Sequence, residues 1–370
     1  MNASLQSPAQ RRLAEIERVR RAVLSEGRGA DPLPVGDGLD NRGWIERSWR
    51  RCLENGQLPE QRLTFERVGE QARRSAVDSN QALLQAARPM LDQLGRAIAN
   101  SHYIAILTDA RGIVIDADGP IASVDSRARL LTRVGVDLSE RAVGTTAIGA
   151  ALAELAPVWL HRGEHFFRDT TIFSCAGAPL FDPDGQCAGM LDLTGVEAPE
   201  RPELKHLVAH WARRIENAMT LGRPHALLLR LNWPGCGLGG DSDGLLGLDA
   251  EGAVTTANGA ARQMLAQLAP GHAATHCSEL FAAPWERLFD AARDEAPIDV
   301  PLWSGLVLQV LAQRSGEPAR PATFEPRMPL REIEAALIRK VVTDVHGNVK
   351  EAAQRLGISR ATVYRKLGRK

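Results

Sequence analysis

The chain has 370 residues, 44% of them hydrophobic, and its 45 basic and 45 acidic side chains cancel to a net charge of zero. That length exceeds one ordinary hydrophobic core and points to two or three domains. The apolar fraction excludes wholesale disorder, and no apolar run reaches the length of a membrane-spanning helix.

Aromatic residues make up only 5% of the chain, so aliphatic side chains and alanine must fill the cores. The cysteines Cys52, Cys175, Cys187, Cys236 and Cys277 are scattered and form no C-x-x-C pair. Reduced thiols in the cytoplasm are expected, not a disulfide framework. The N-terminus carries arginines but no apolar core of a secretory signal.

Residues 1–43 open with a polar segment, a charged helical stretch over Ala9–Ser25 and a linker rich in Gly, Pro and Asp. From Trp44 to Ala99 the pattern is helical. Ile45, Trp49, Cys52 and Leu53 recur at three- and four-residue spacing, Pro59 interrupts, and Leu83, Leu84, Met90, Leu91, Leu94 and Ile98 form a second apolar face. The texture then changes. Ile104–Thr108, the turn Asp109–Gly112 and Ile113–Ile115 predict a β-hairpin. A helix is expected near Thr146–Leu155, with strands at Ala156–His161, Phe173–Leu180 and Cys187–Leu193, and a closing helix over Pro202–Leu221. This order predicts an α+β unit with a mostly antiparallel sheet.

Gly222–Pro224 marks a boundary before a second α+β unit. Strands are expected at Gly244–Asp249, Ala253–Thr256 and Trp303–Gln313, and Asn258 is placed to cap a helix over Gly259–Leu268. Residues 315–329 hold four prolines and read as a linker. The last stretch, 330–370, is helical, broken at Gly347 and Gly357.

Charge is unevenly placed. Between Val345 and Lys370 stand Lys350, Arg355, Arg360, Arg365, Lys366, Arg369 and Lys370 against Glu351, seven minus one, a net of +6. Such a patch in a neutral chain is a footprint for phosphate. Gly347 ends one helix, Asn348 caps the next, Gly357–Ile358 makes a tight turn and Ser359 caps the last helix. Ala352 and Ala353 let two helices cross closely. This is helix-turn-helix spacing, in which the second helix enters the major groove N-terminus first. Arg360, Thr362, Arg365 and Lys366 then face outward. Arginine reads guanine bidentately and threonine contacts a base edge or methyl, while Ser359, Tyr364 and Lys366 suit phosphates.

The run Asn348–Leu367 resembles the Fis-type helix-turn-helix. That resemblance implies promoter DNA as partner and a homodimer, with the helix over Leu330–Val345 contributing to the interface. Residues 44–221 resemble the GAF-based sensor of acetoin-type regulators through Ile45–Cys52, Leu107–Gly112, Val143–Gly149, Gly163–Phe166, Cys175–Leu180 and Gly189–Gly195. Thr146 and Ala150 depart from that family, where Asn and Thr are common. Gly244–Leu268, with Asp249, Gly252 and Asn258, resembles the start of a PAS domain. Regulators of this type often carry an ATPase that acts on sigma-N polymerase and needs G-x-x-x-x-G-K-[ST] to hold phosphates. The chain has no such string.

The fold expected is therefore multidomain α+β: a GAF-like sensor over 44–221, a PAS-like unit over 224–314 and an all-α helix-turn-helix over 330–370. If the sensor binds a small molecule, Trp159, His165, Phe166, Phe173 and Cys175 are the candidates. His161 and His165, like His206 and His210, are four apart, but two ligands without a third fall short of a metal set. No cofactor, metal, membrane or enzymatic motif is expected. RNA polymerase and a signalling protein are the further partners to consider, and an adaptor that binds DNA non-specifically is the competing reading.

Overall fold

The computed structural model describes residues 8–25, 43–120, 126–268, 276–294, 296–314 and residue 349. Met1–Glu317 forms one compact unit and Pro318–Lys370 another. The linker over 315–329 and the helix-turn-helix expectation, residue 349 apart, lie outside the described residues.

The lead-in helices are α1 (Pro8–Leu24), α2 (Gly43–Glu54), α3 (Glu70–Asp78) and α4 (Gln81–Ile98). A five-stranded sheet follows, built from β1 (Tyr103–Asp109), β2 (Val114–Asp118), β3 (Val158–His161), β4 (Phe173–Phe181) and β5 (Cys187–Val196). Their order is β2-β1-β5-β4-β3, and every pairing is antiparallel. Three short helices, α5 (Ser126–Leu131), α6 (Glu140–Val143) and α7 (Ala147–Glu154), cross from the first hairpin to β3. Helix α8 (Leu204–Leu221) follows β5.

Both faces of this sheet are covered, which explains why all seven residues of β1 are buried. Antiparallel strands with one wet face alternate apolar and polar; a doubly covered sheet reads as continuous apolar runs. Alternation instead sorts residues between two cores. Tyr103, Ala105, Leu107, Ala176, Ala178, Leu191 and Leu193 pack with α4 and α8. Ile104, Ile106, Phe173, Cys175 and Met190 pack with α5, α6 and α7 on the opposite face. Gly177 allows the close approach there, since a Cβ would lie 2.5 Å from Met190 Cε and 3.0 Å from the Ala147 carbonyl.

The second sheet comprises β6 (Leu227–Asn232), β7 (Gly244–Leu248), β8 (Val254–Ala257), β9 (Ile298–Pro301) and β10 (Val307–Arg314), with helices α9 (Gly259–Met264) and α10 (Glu286–Ala291) in the crossover. Its order is β8-β7-β6-β10-β9, again antiparallel. In each sheet the first strand lies beside the last at the centre.

Three differences from the sequence reading have local causes. The final strand starts at Val307, not Trp303, because Gly305 at φ +83° turns the chain and pairs β10 with β9. The helix after Asn258 stops at Met264 and a 3-10 turn covers Ala266–Leu268. The interruption expected at Pro59 is longer than a single break, with no helix over residues 55–69.

Asn258 uses its full hydrogen-bonding capacity. Its Oδ1 accepts from Ala261 N at 2.8 Å, capping α9, and from Leu245 N at 2.9 Å. Its Nδ2 donates to Asp243 O at 2.9 Å and to Asn217 Oδ1 of α8 at 2.7 Å.

Candidate functional site

The α5–α7 face of the first sheet does not close completely. It leaves a cavity of about 350 Å³, counted out to its mouth, lined by Phe65, Ile106, Leu131, Leu138, Val143, Thr146, Ala147, Ile148, His165, Thr170, Phe173, Cys175, Asp192 and Thr194. The walls are chiefly apolar because they are the sheet's own core residues and the ends of three short helices. Thr146 starts α7, its Oγ1 accepting from Gly149 N at 3.3 Å.

The polar part of the lining comes from two places. Met190, Asp192 and Thr194 follow the period of two along β5, so the last two project into the cavity beside Cys175 of β4, which pairs with Thr194. Thr194 Oγ1 donates to Asp192 Oδ2 at 2.5 Å, and the Cys175 thiol lies 3.3 Å from Thr194 Oγ1. Asp192 is 0% exposed, and its Oδ1 has no partner among the described residues. Burial pushes its carboxyl up to about 7, against the opposing pull of the Thr194 bond. Burial also holds the Cys175 thiol well above its ordinary value, with Asp192 adding to the effect, so the sulfur stays protonated. A protonated, enclosed thiol is a poor nucleophile.

The second place is the loop after β3. His165 is 1% exposed, its Nδ1 lies 2.9 Å from the Arg162 carbonyl, and its Nε2 has no partner among the described residues. Burial pulls its pKa down to about 4, so the ring is neutral at neutral pH. A neutral ring that meets a carbonyl through Nδ1 carries its proton there, which leaves Nε2 as an acceptor.

This loop is held from outside by α1 and α2. Arg20 donates to the carbonyls of Gly163, His165 and Phe166, and Arg12 pairs with the buried Glu164 at 2.7 Å. Glu164 Oε2 in turn accepts from His161 N at 2.7 Å, and Trp49 Nε1 donates to Glu164 O at 2.9 Å. Ile16, Val19, Val23, Ile45, Trp49 and Cys52 complete an apolar cluster with Phe166 and Phe167.

Of the five residues singled out from sequence, His165, Phe173 and Cys175 line the cavity. Trp159 belongs to the core on the opposite face of the sheet, and Phe166 to the cluster that anchors α1. Asp192, Thr194, Thr146 and Thr170 were not singled out. An aspartate inside the apolar run of β5 was the signal available for the first.

His161 bonds Ser174 Oγ at 2.8 Å through Nδ1. No group of three or more His, Cys, Asp or Glu is placed to hold a metal among the described residues. No described helix is long and apolar enough to cross a membrane. Ser359, Arg360, Thr362, Tyr364, Arg365 and Lys366 lie outside the described residues.

Comparison with known proteins places both ends of the chain. Residues 329–369 match the description "Bacterial regulatory protein, Fis family". The C-terminal segment is thus similar to the Fis family. Residues 43–217 match the N-terminal domain of MimR. The chain is 30% identical over 291 residues to the acetoin catabolism regulatory protein of Cupriavidus necator, covering 76% of this chain and 43% of that one. It is 30% identical over 168 residues to the acetoin dehydrogenase operon transcriptional activator AcoR of Bacillus subtilis, covering 43% and 26%. The chain thus spans less than half the length of these relatives. Among solved structures it is similar to the E. coli DhaR(N)–DhaL complex at 15% identity and a TM-score of 0.45, over 73% of this chain and 99% of that one.

Proposed function

We propose that this protein is a signal-responsive bacterial transcription regulator that binds promoter DNA through a helix-turn-helix within residues 330–370. The match of residues 329–369 to the Fis family carries this reading, and the net charge of +6 over Val345–Lys370 agrees with it. Arg360, Thr362 and Arg365 would read bases; Ser359, Tyr364 and Lys366 would hold phosphates. A homodimer would present two such units to two half-sites.

The sensing part is residues 44–221, read as GAF-like, with a PAS-like unit over 224–314. A doubly covered antiparallel sheet of order β2-β1-β5-β4-β3 around a cavity supports the first assignment. Ligand or partner binding there would shift the population of arrangements that fit DNA. The missing phosphate-loop string supports action through ordinary polymerase or by occlusion, without a sigma-N ATPase. The protonated Cys175 and neutral His165 support a binding role over catalysis.

Genome-wide occupancy of the tagged protein, beside an Arg360→Ala control, tests the reading. Discrete promoter peaks lost in the control are expected. Diffuse occupancy unchanged by the substitution would overturn it in favour of an adaptor that binds DNA non-specifically.

A further inference from the structure

We propose that the cavity of the first sheet binds a small aliphatic molecule whose polar head donates hydrogen bonds, selected by Asp192 Oδ1 and His165 Nε2 as acceptors. The inference deepens the sensor reading above and rests on it; it does not rest on DNA binding.

The two atoms are the starting point. Both belong to residues that line the cavity and to side chains no more than 1% exposed, and neither has a hydrogen-bond partner among the described residues. Leaving a buried acceptor unmet is costly, and two such atoms in one apolar cavity mark a place where a molecule supplies what the protein does not.

The direction of each hydrogen bond fixes the chemistry. His165 gives its Nδ1 proton to the Arg162 carbonyl at 2.9 Å, so Nε2 presents a lone pair. Asp192 Oδ2 already takes the Thr194 proton at 2.5 Å, and Thr194 Oγ1 has the Cys175 thiol 3.3 Å away as its donor. Once ionised, above its value of about 7, Asp192 keeps Oδ1 as the carboxyl's remaining acceptor. Thr170 Oγ1 donates elsewhere, to the Phe167 carbonyl at 2.8 Å. At Asp192 and His165 a ligand head meets lone pairs, while the Thr146 hydroxyl, which accepts from Gly149 N at 3.3 Å, keeps a proton to donate.

A hydroxyl or ammonium head satisfies them. A ketone or ester oxygen does not, and a carboxylate would be repelled by Asp192. Ile106, Leu138, Val143 and Ile148 suit a compact hydrocarbon body.

Three probes with one ring and different heads test this: cyclopentanol, cyclopentylamine (a cation at neutral pH) and cyclopentanone. Each is titrated calorimetrically into the full chain without DNA at about pH 8.5, where Asp192 is ionised and the amine is still a cation. The alcohol or the ammonium should bind at least about tenfold tighter than the ketone, since a site built to meet a donor rejects the analogue that lacks one. A tighter alcohol identifies a neutral ligand; a tighter ammonium identifies a cation paired with the Asp192 carboxylate.

Asp192→Asn, with its amide oxygen kept toward Thr194, turns an NH2 group to the cavity. It should shift selectivity toward the ketone by at least about tenfold, about 1.4 kcal/mol. Should that variant not fold, the wild-type comparison decides alone. The proposal is overturned if the ketone comes within tenfold of both donors, or if none of the three binds at about 10 mM, a concentration at which even a weak fragment registers. Promoter binding assayed on the same preparation separates the two readings. Retained, Arg360-dependent binding with no donor selectivity would sink the ligand class alone.

Discussion

Asp192 and His165 face one cavity with opposite responses to burial, and this gives their titrations opposite signs. Asp192 is held near pKa 7 in the fold, against about 4 when unfolded. Between those values the folded protein keeps a proton that the unfolded chain releases, so this group's contribution to stability falls as pH rises. Glu216, pushed to about 7 mainly by burial, acts the same way. His165, pulled to about 4, acts oppositely: the unfolded chain binds the extra proton up to its ordinary value near 6.5, and stability rises with pH in that window. Asp192→Asn removes one of these titrations and leaves the other two. Its melting temperature relative to wild type should therefore climb steadily between about pH 4.5 and about pH 7.5. Thermal melts followed by circular dichroism would check this; a flat difference would mean that Asp192 titrates as though exposed. Residue roles in the proposed DNA segment separate by a different measurement. Lys366→Ala should lower the slope of log affinity against log salt by about 1 while sequence preference stays, and Arg360→Ala should cost about 1–3 kcal/mol and relax preference at one base. Binding measured over a salt series with promoter and random DNA distinguishes them, and equal slopes for Lys366→Ala and wild type would remove that lysine from the phosphate contacts.

Helix α1 illustrates how an element can be legible while its purpose is not. Its charged helical character is readable over Ala9–Ser25, but nothing in that stretch shows what the helix holds. In the fold Arg20 is 5% exposed and donates to three loop carbonyls beside His165, and burial lowers its pKa. Arginine bonding to backbone carbonyls leaves no pattern in a sequence. Arg20→Ala should leave those carbonyls unmet and destabilise the loop by about 2–4 kcal/mol, seen as faster hydrogen exchange over residues 162–167 than elsewhere in the first sheet. Exchange unchanged in that loop would show that Arg12 and the apolar cluster suffice to hold it. Other elements were hidden for simpler reasons. Leu227–Asn232 is a short apolar run with Arg230 inside it, and such runs carry no decisive period; it proved to be the central strand β6. Helices α5 and α6 have six and four residues, too few for helical spacing to register. The hairpin β1–β2 and strands β4 and β5 were legible because turn residues bracket apolar runs. The cavity was only partly so. Chain neighbours such as Trp159 and Phe166 point to other faces, whereas Asp192 enters through strand alternation and a pairing that only the sheet register supplies.

At the scale of the molecule, helix α8 belongs to both sheets. Val208, Trp211, Ala212, Ile215 and Met219 cover one face of the first sheet. On the same helix, Glu216 accepts from Phe181 N of β4 at 2.9 Å, and Asn217 takes the hydrogen bond from Asn258 that ties α8 to the second sheet. Asn217 Nδ2 also donates to Asp241 O at 3.0 Å. A second seam runs through the β4–β5 turn, where the Pro183 carbonyl accepts from Arg262 Nη2 at 2.5 Å and from Ala257 N at 3.3 Å. The cavity lies on the face of the first sheet away from α8, so any influence of its occupant on the second sheet has to pass through β4 and β5 into these seams. That is a contiguous physical route, and a test of coupling is what gives it meaning. Asn258→Ala removes the cap of α9 and leaves Leu245 N, Asp243 O and Asn217 Oδ1 without their partner, a loss of about 2–4 kcal/mol. Because three of the four bonds lie within the second sheet and its crossover, amide protection there should fall first. If α8 transmits cooperativity through Asn217, protection in β1–β5 should fall less than in β6–β10, splitting one unfolding unit into two. Native-state hydrogen exchange reads both sheets in one experiment. An equal loss in both would mean that the Pro183 seam and the remaining Asn217–Asp241 bond keep them cooperative, and the route from cavity to second sheet would then not need the Asn217–Asn258 bond.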